Sequence, residues 1–191
     1  MEKLIAFVNP LNFQYEFADL RNIVDNSLFL AWEQGLPKDV EIAKSFGNAS
    51  FIVKADKEQM SKAFSYIILH SMGGIPKGGK LVMGMEEVRK GEVPDSMNWV
   101  LSMPSVRVSI GDTGRGVPAQ DLEKLFDPFR AADGLGINLG LPLGQKIIEE
   151  HGGKIEVFSE AGKGNSFHIY LPCVVEEARS NLSQEEANRQ R

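Results

Sequence analysis

The sequence predicts a two-layer α+β sandwich, with a mixed and mostly antiparallel sheet that carries about three helices on one face. Two observations support this fold class. Six or seven short strand candidates occur, and several are joined in pairs by glycine-containing turns, as in hairpins. Three longer segments place apolar residues at helical spacing, so that each has one face to bury. Helices segregated to one face of such a sheet form two layers around one core.

The composition is that of one ordinary globular domain. The chain has 191 residues, of which 42% are apolar and 25% are charged. The net charge of −5 gives no broad electrostatic attraction to nucleic acid or to an anionic membrane, so neither is an expected partner of this segment. A single cysteine forms no internal disulfide, which agrees with a reducing compartment. No run of about 18 apolar residues occurs.

The first 17 residues predict the end of an upstream helix followed by a linker. Residues 4–8 are apolar and stop at an Asn-Pro pair, which is typical of a last helical turn, although a short disordered start is an equal alternative. Alternating aromatic residues then favour an edge strand or an extended linker: Phe13, Tyr15 and Phe17.

Two helical patterns follow, and each has an aspartate as its N-cap candidate. Asp19 precedes the first pattern, and Asp56 precedes the second. The second pattern has a clear apolar face: Met60, Ala63, Phe64, Ile67, Ile68 and Ser71. Between the helices, residues 40–43 and 51–53 are strand candidates separated by a Gly-Asn turn, and this spacing predicts a hairpin.

The remaining elements alternate strands with two helices. We expect strands at 80–85, 105–110, 154–158 and 166–171, a long hairpin loop at 86–104, and helices at 119–125 and 139–151. Residues 174–191 are polar with little apolar face, and predict a frayed helix or a disordered tail.

Asp112 is the most conspicuous candidate functional residue. It lies in the pattern Asp-x-Gly-x-Gly, directly after the apolar alternation of Val106, Val108 and Ile110. A strand thus delivers one carboxylate into a loop that Gly114 and Gly116 keep thin. A carboxylate accepts hydrogen bonds, for instance from an exocyclic amine, and glycine allows close approach of a ligand. Taken alone, a plain tight turn explains the pattern equally well.

Further motifs follow in a fixed order. They are Phe-Asp-Pro-Phe at 126–129, a glycine-rich loop entering a helix, Glu-Glu-His-Gly-Gly-Lys-Ile at 149–155, and Ser-Glu-x-Gly-Lys-Gly-x-x-Phe-x-Ile-x-Leu-Pro at 159–172. In this order the chain closely resembles the ATP-binding catalytic domain of bacterial sensor histidine kinases. That domain has the Bergerat fold, shared with DNA gyrase, a heat-shock chaperone and mismatch-repair ATPases. The resemblance covers 18–172, which leaves 1–17 as a helix end plus linker and 173–191 as a polar tail.

The resemblance implies a nucleotide pocket that binds ATP or ADP. Asp112 matches the aspartate that accepts the adenine amino group, and the two following glycines match those that admit the base. Phe126 and Phe129 match an aromatic pair beside a mobile lid. Gly136 and Gly140 match a glycine-rich loop at a helix N-terminus, where backbone N–H groups attract the phosphates. Taken singly, each glycine is also explained as an ordinary loop residue, and each phenylalanine is also explained by packing in the core. The implied nucleotide-binding residues are Tyr66, His70, Asp112, Gly114, Gly116, Phe126, Phe129, Arg130, Gly136, Asn138, Leu139, Gly140 and Leu141.

The helix at 57–72 departs from the family pattern. His70 stands where the family has the asparagine that holds Mg²⁺, and Tyr66 replaces an asparagine one turn earlier. Magnesium prefers oxygen ligands, whereas imidazole nitrogen suits zinc, copper, nickel or iron. His70 is therefore a poor magnesium ligand. It is instead a hydrogen-bond donor to a phosphate or a plain structural histidine.

The second glycine box also differs from the family. Asn138 replaces its middle glycine, and asparagine tolerates positive φ better than most residues. Ile137 removes a hydroxyl, and Pro142 removes one backbone donor from the first turn of the helix. Arg130, in a short lid, is a candidate phosphate contact or an exposed side chain.

Two functional hypotheses result from the match and these departures. The first is a cytoplasmic bacterial kinase domain, in which we identify no acceptor histidine, that passes the γ-phosphoryl group of Mg²⁺-ATP to a histidine on a separate dimerisation module. The second is a pseudokinase that docks to a response regulator or a partner kinase with weak or no transfer. Loss of the metal ligand should impair phosphoryl transfer more than adenine binding. Because dimerisation belongs to the upstream module in this family, we expect a monomer.

Overall fold

The computed structural model describes residues 12–34, 39–88, 103–128 and 139–174. The strands are β1 (Glu16–Asp19), β2 (Glu41–Ser45), β3 (Ile52–Ala55), β4 (Lys80–Glu87), β5 (Ser105–Asp112), β6 (Lys154–Glu160) and β7 (Gly164–Pro172). The helices are α1 (Leu20–Glu33), α2 (Lys57–Gly74), α3 (Ala119–Leu122) and α4 (Gly140–Glu150). None of the helices in these ranges is long and apolar enough to cross a membrane.

The main sheet has five strands in the order β2-β4-β5-β7-β6. Only β2 and β4 are parallel, and the other three neighbouring pairs are antiparallel. The predicted mixed, mostly antiparallel sheet is thereby confirmed. A separate two-stranded sheet joins β1 to β3 in antiparallel register.

The three long helices form one layer against this sheet. Helix α2 contacts both α1 and α4, and it also contacts β5 and β7. Every second residue of β5 is buried beneath the helices, from Val106 through Val108 to Ile110. All six residues of the predicted apolar face of α2 are buried. The two-layer α+β sandwich is therefore correct.

Both predicted N-caps are confirmed, because their chemistry is local. The carboxylate of Asp19 accepts a hydrogen bond from the backbone N–H of Arg21 at 2.9 Å. Asp56 accepts one from the N–H of Gln59 at 3.0 Å. Each bond satisfies a donor that the first helical turn leaves without an intrahelical partner.

The predicted hairpin between residues 40–43 and 51–53 is wrong. Strand β2 pairs with β4 in the main sheet, whereas β3 pairs with β1 in the small sheet. The chain between them buries Phe46 and Phe51 in the core, so it does not turn back on itself. The N–H of Leu20 donates to the carbonyl of Phe51, which ties β3 to the start of α1.

The other element boundaries differ only by a few residues. Strand β5 runs two residues beyond the predicted end, so Asp112 closes the strand, and α3 ends at Leu122 rather than at 125. Strands β4 and β5 are antiparallel neighbours, as the long-hairpin interpretation requires. The predicted upstream helix end, residues 89–102 of the loop and nearly all of the tail lie outside the described residues.

Candidate nucleotide-binding site

Asp112 carries a buried carboxylate that receives three hydrogen bonds from the protein. Its side chain follows the buried alternation of β5, and the residue is 7% exposed. The N–H of Gly114 donates to Oδ1 at 2.8 Å, and the N–H of Asn165 donates to the same oxygen at 3.2 Å. The side-chain amide of Asn165 donates to Oδ2 at 3.0 Å. A carboxylate has about four acceptor positions, so Asp112 retains capacity for one further donor.

The loop after Asp112 is fixed on two sides. The N–H of Arg115 donates to the carbonyl of Gly74 at the end of α2, at 3.2 Å. On the other side, the carbonyl of Arg115 accepts from the N–H of Gly162 at 2.7 Å, in the turn between β6 and β7. The N–H of Val117 donates to the Ser159 hydroxyl at 2.6 Å. These bonds position the carboxylate on a rigid scaffold.

Gly114 and Gly116 are required by contacts within the protein. Gly116 has φ +67°, and a Cβ there would lie 2.2 Å from the carbonyl oxygen of Glu160. A Cβ at Gly114 would lie 2.7 Å from Asp112 Oδ1 and 2.8 Å from the Gly74 oxygen. The thin loop predicted from the sequence is therefore needed for folding, whether or not a ligand approaches it.

Sequence reasoning missed Asn165, Gly164 and Ser159 as parts of this site. Gly164 has φ +98°, and a Cβ there would lie 1.9 Å from the backbone oxygen of Asp112. The hydroxyl of Ser159 donates to Asn165 Oδ1 at 2.8 Å, which orients the amide that holds Asp112. The signal was present in the motif at 159–172, but it depends on strand register: Gly111 pairs with Ser166, which brings position 165 beside Asp112.

Tyr66 and His70 lie one turn apart on α2, and both are half-buried. The His70 ring meets the buried Phe167 ring edge to face, with centroids 5.8 Å apart. Phe167 pairs with Ile110, two residues before Asp112 on the same face of β5. His70 thus lies on the same side of the sheet as the carboxylate. Among the described residues, no three His, Cys, Asp or Glu side chains are grouped so that they could hold a metal ion.

Helix α4 begins beside α2 at the predicted phosphate end. Leu139, Gly140 and Leu141 are buried, and no side chain caps the first turn of this helix. A Cβ at Gly144 would lie 3.2 Å from the carbonyl of Ala63, so the two helices approach closely there. Phe126 is half-buried against the core. Phe129, Arg130, Gly136 and Asn138 lie outside the described residues.

A depression of about 490 Å³ touches the opposite face of the sheet near Asp112. It is lined by Asp112 and Asn165, and also by the exposed Val82 and Phe158, which belong to the face that carries no helices. The buried carboxylate of Asp112 follows the helix-facing side of β5 instead. The depression therefore adjoins the Asp112 site from the face that carries no helices.

Comparison with known proteins finds similar chains among ATPases and sensor kinases. Residues 84–175 match the family of histidine kinase-, DNA gyrase B-, and HSP90-like ATPases. The sensor kinase CckA of Brucella abortus is 31% identical over 185 residues, which cover 95% of this chain and 19% of CckA. The sensor histidine kinase ZraS of Klebsiella oxytoca is 27% identical over 172 residues, 90% of this chain and 34% of ZraS.

A solved structure shows the same fold. The histidine kinase ThkA, in complex with the response regulator protein TrrA, superposes with a TM-score of 0.69 at 21% identity, covering 91% of this chain and 46% of ThkA. This chain spans about a third or less of the two curated relatives. By its matched family, its relatives and its fold, the chain is similar to the ATP-binding catalytic domains of sensor histidine kinases.

Proposed function

We propose that this domain binds ATP or ADP through Asp112 and supplies the γ-phosphoryl group to a histidine on a separate dimerisation module. One observation carries the proposal. The buried carboxylate of Asp112 is oriented by Gly114 and Asn165, and it keeps an acceptor position for an exocyclic amine. Such an acceptor selects adenine over guanine, because guanine presents a carbonyl where adenine presents its amine.

The phosphates would extend from Asp112 towards the start of α4. The first turn of α4, which contains Leu141, carries the positive end of the helix dipole, and this end attracts anions. Pro142 contributes no donor there. The mutual approach of α2 and α4 brings His70 to the same side of the sheet as this helix. A neutral or charged imidazole at this place is suited to donate a hydrogen bond to a phosphate oxygen.

The residues present fit the nucleotide better than they fit Mg²⁺. Magnesium requires hard oxygen ligands, and His70 presents nitrogen where the family has an amide oxygen. Phosphoryl transfer depends on positioning and on charge neutralisation by the metal, so we assign no transfer step to His70. This departure supports a second candidate function: a binding module with weak or no transfer that docks to a response regulator or a partner kinase. ThkA, a kinase of the same fold, is in complex with a response regulator protein.

Both candidates share several further proposals. The functional domain spans 18–172, with a helix end and linker at 1–17 and a polar tail at 173–191. The domain works in the bacterial cytoplasm, and this chain alone is a monomer. Sedimentation equilibrium of the 191-residue chain tests the last point, since a dimer would double the mass of 21.1 kDa.

Calorimetric titration with ATP, ADP and GTP, with and without Mg²⁺, tests the proposed function. Tight ATP binding whose affinity Mg²⁺ increases supports the kinase function. ATP binding whose affinity does not change with Mg²⁺ supports the binding module with weak or no transfer. Absence of any binding at millimolar nucleotide contradicts the kinase proposal. Asp112→Asn should abolish the preference for ATP over GTP. The matched control is Asp39→Asn, which changes an exposed aspartate and should leave this preference intact. Unchanged ATP binding by Asp112→Asn would show that the adenine lies elsewhere.

A further inference from the structure

The segment that leads into the domain is held at the far ends of two helices. The Phe13 ring meets the His151 ring edge to face with centroids 4.8 Å apart, and the Tyr15 ring lies 5.0 Å from it. The Tyr15 hydroxyl donates to the carbonyl of Glu150 at 3.0 Å, at the end of α4. The N–H of Gln14 donates to the Asp56 carboxylate at 2.8 Å, at the start of α2. Residues 13–15 therefore contact both helix ends.

His151 lies at the centre of these contacts and is 8% exposed. Its Nδ1 lies 2.7 Å from the carbonyl of Ile147, and its Nε2 lies 3.0 Å from the backbone N–H of Asp56. A carbonyl only accepts hydrogen bonds, so Nδ1 carries the proton. A backbone N–H only donates, so Nε2 must be unprotonated. Both bonds exist together only in the neutral imidazole.

We propose that His151 is a pH-sensitive latch, which holds residues 13–15 against α2 and α4 when neutral and releases them when protonated. A proton on Nε2 would point at the N–H of Asp56, so two donors would face each other and the bond would be lost. The ring would then move from its place between Phe13 and Tyr15. Because Gln14 is bonded to the same aspartate, its N–H reports on the release.

The groups around His151 come from all three elements that contact it. The charges of Asp56, the N-cap of α2, and of Glu150 on α4 favour protonation of His151, and Tyr15 lies on the leading segment. Burial opposes protonation and predominates, so the pKa of His151 is lowered. Burial also raises the pKa of Asp56, but hydrogen bonds from Gln59 and Gln14 lower it overall. Asp56 therefore stays charged while His151 titrates.

The latch would couple the position of residues 13–15 to α2 and α4, the two helices that carry candidate site residues. Helix α2 carries His70 near its other end, and α4 begins at Gly140. A change in the segment at 13–15 would thus act on the ends opposite to the proposed phosphate site. The inference needs no bound nucleotide, and it stands or falls independently of the proposed function.

Nitrogen-resolved NMR of the 191-residue chain between pH 8 and pH 5 tests the latch. We expect the Nδ1–H form of His151 at high pH. We also expect the amide signals of Gln14 and Asp56 to shift with the midpoint of His151, while protection of the Gln14 amide against exchange falls at least tenfold. The proposal would be overturned if the amide signal of Gln14 did not shift through this midpoint. It would also be overturned if His151 carried its proton on Nε2 at high pH.

Two variants separate His151 from the other histidines. His151→Gln retains a neutral acceptor but does not titrate, so it should remove the pH-dependent shift of Gln14. His168→Gln, on β7, should leave that shift intact. A shift that persists in the first variant, or disappears in the second, contradicts the latch. If His151→Gln fails to fold, the titration of the unmodified chain and of His168→Gln decides the question.

Discussion

Asn165 donates both its backbone N–H and its side-chain amide to the two carboxylate oxygens of Asp112, at 3.2 and 3.0 Å. The two residues lie on adjacent strands and are separated by 53 positions in the sequence. The amide is oriented in turn by the hydroxyl of Ser159 on β6. The candidate adenine contact thus depends on a network across three strand ends, and not on the Asp112 loop alone.

Replacing Asn165 by alanine should destabilise the fold. The substitution removes the amide donor and leaves a buried carboxylate oxygen with one partner fewer. We expect the free energy of unfolding to fall by roughly 1–3 kcal/mol, as for a buried group that loses its hydrogen bond. Urea denaturation measures the difference, and the exposed Asn48→Ala provides the control. Equal stability of both variants would mean that the amide contributes nothing to holding Asp112.

Replacing Gly116 by alanine should reduce stability more than replacing Gly78 by alanine. Both glycines have positive φ, +67° and +78°, so alanine is strained at either by roughly 1–2 kcal/mol. At Gly78 no atom lies within 4 Å of the added Cβ, whereas at Gly116 the Glu160 oxygen lies 2.2 Å away. Thermal unfolding of the two variants should therefore show a clearly larger loss for Gly116→Ala. Losses of the same size would indicate that the loop shifts away from Glu160 without penalty.

The features that could be predicted from the sequence are those with local causes. The helix caps Asp19 and Asp56 act within three residues, and the alternation that ends at Asp112 follows from strand geometry. Strand partners are not local: the 51–53 segment pairs with a strand that precedes α1, which no turn signal reveals. Asn165 was missed for the same reason, because only the register of β5 and β7 brings it to Asp112.

Cys173 should react slowly with alkylating reagents in the folded protein. Burial, reinforced by the charge of Glu87, raises the pKa of its thiol to about 11. The thiolate is the reactive form, so at neutral pH we expect alkylation roughly a hundredfold slower than for a free cysteine. Mass spectrometry after timed exposure to iodoacetamide measures the rate. The same chain in concentrated urea is the control, and equal rates in both states would contradict the burial of the thiol.

The stability of the protein should decrease as the pH falls from 7.5 towards 5. Burial lowers the pKa of both His151 and His168 below the ordinary value of 6.5. The unfolded chain therefore binds more protons, so the stabilisation is complete above that value and is lost as the pH falls through the folded-state pKa. Urea denaturation at several pH values measures the slope. His151→Gln should show a shallower slope than the unmodified chain, and an unchanged slope would assign the effect to other groups.

Replacing His70 by asparagine should make ATP binding depend on Mg²⁺. The amide oxygen of asparagine is a hard ligand of the kind that magnesium prefers, whereas the imidazole of His70 is not. We expect Mg²⁺ to raise the affinity of this variant for ATP roughly tenfold more than that of the unmodified chain, equivalent to about 1.4 kcal/mol. The variant also loses the ring contact with Phe167, so His70→Leu is the matched control: it keeps an apolar group there and supplies no ligand. Calorimetric titration of both variants with and without Mg²⁺ separates the two effects. If neither variant differs from the unmodified chain in its response to Mg²⁺, position 70 does not determine metal dependence, and the second candidate function loses its principal support.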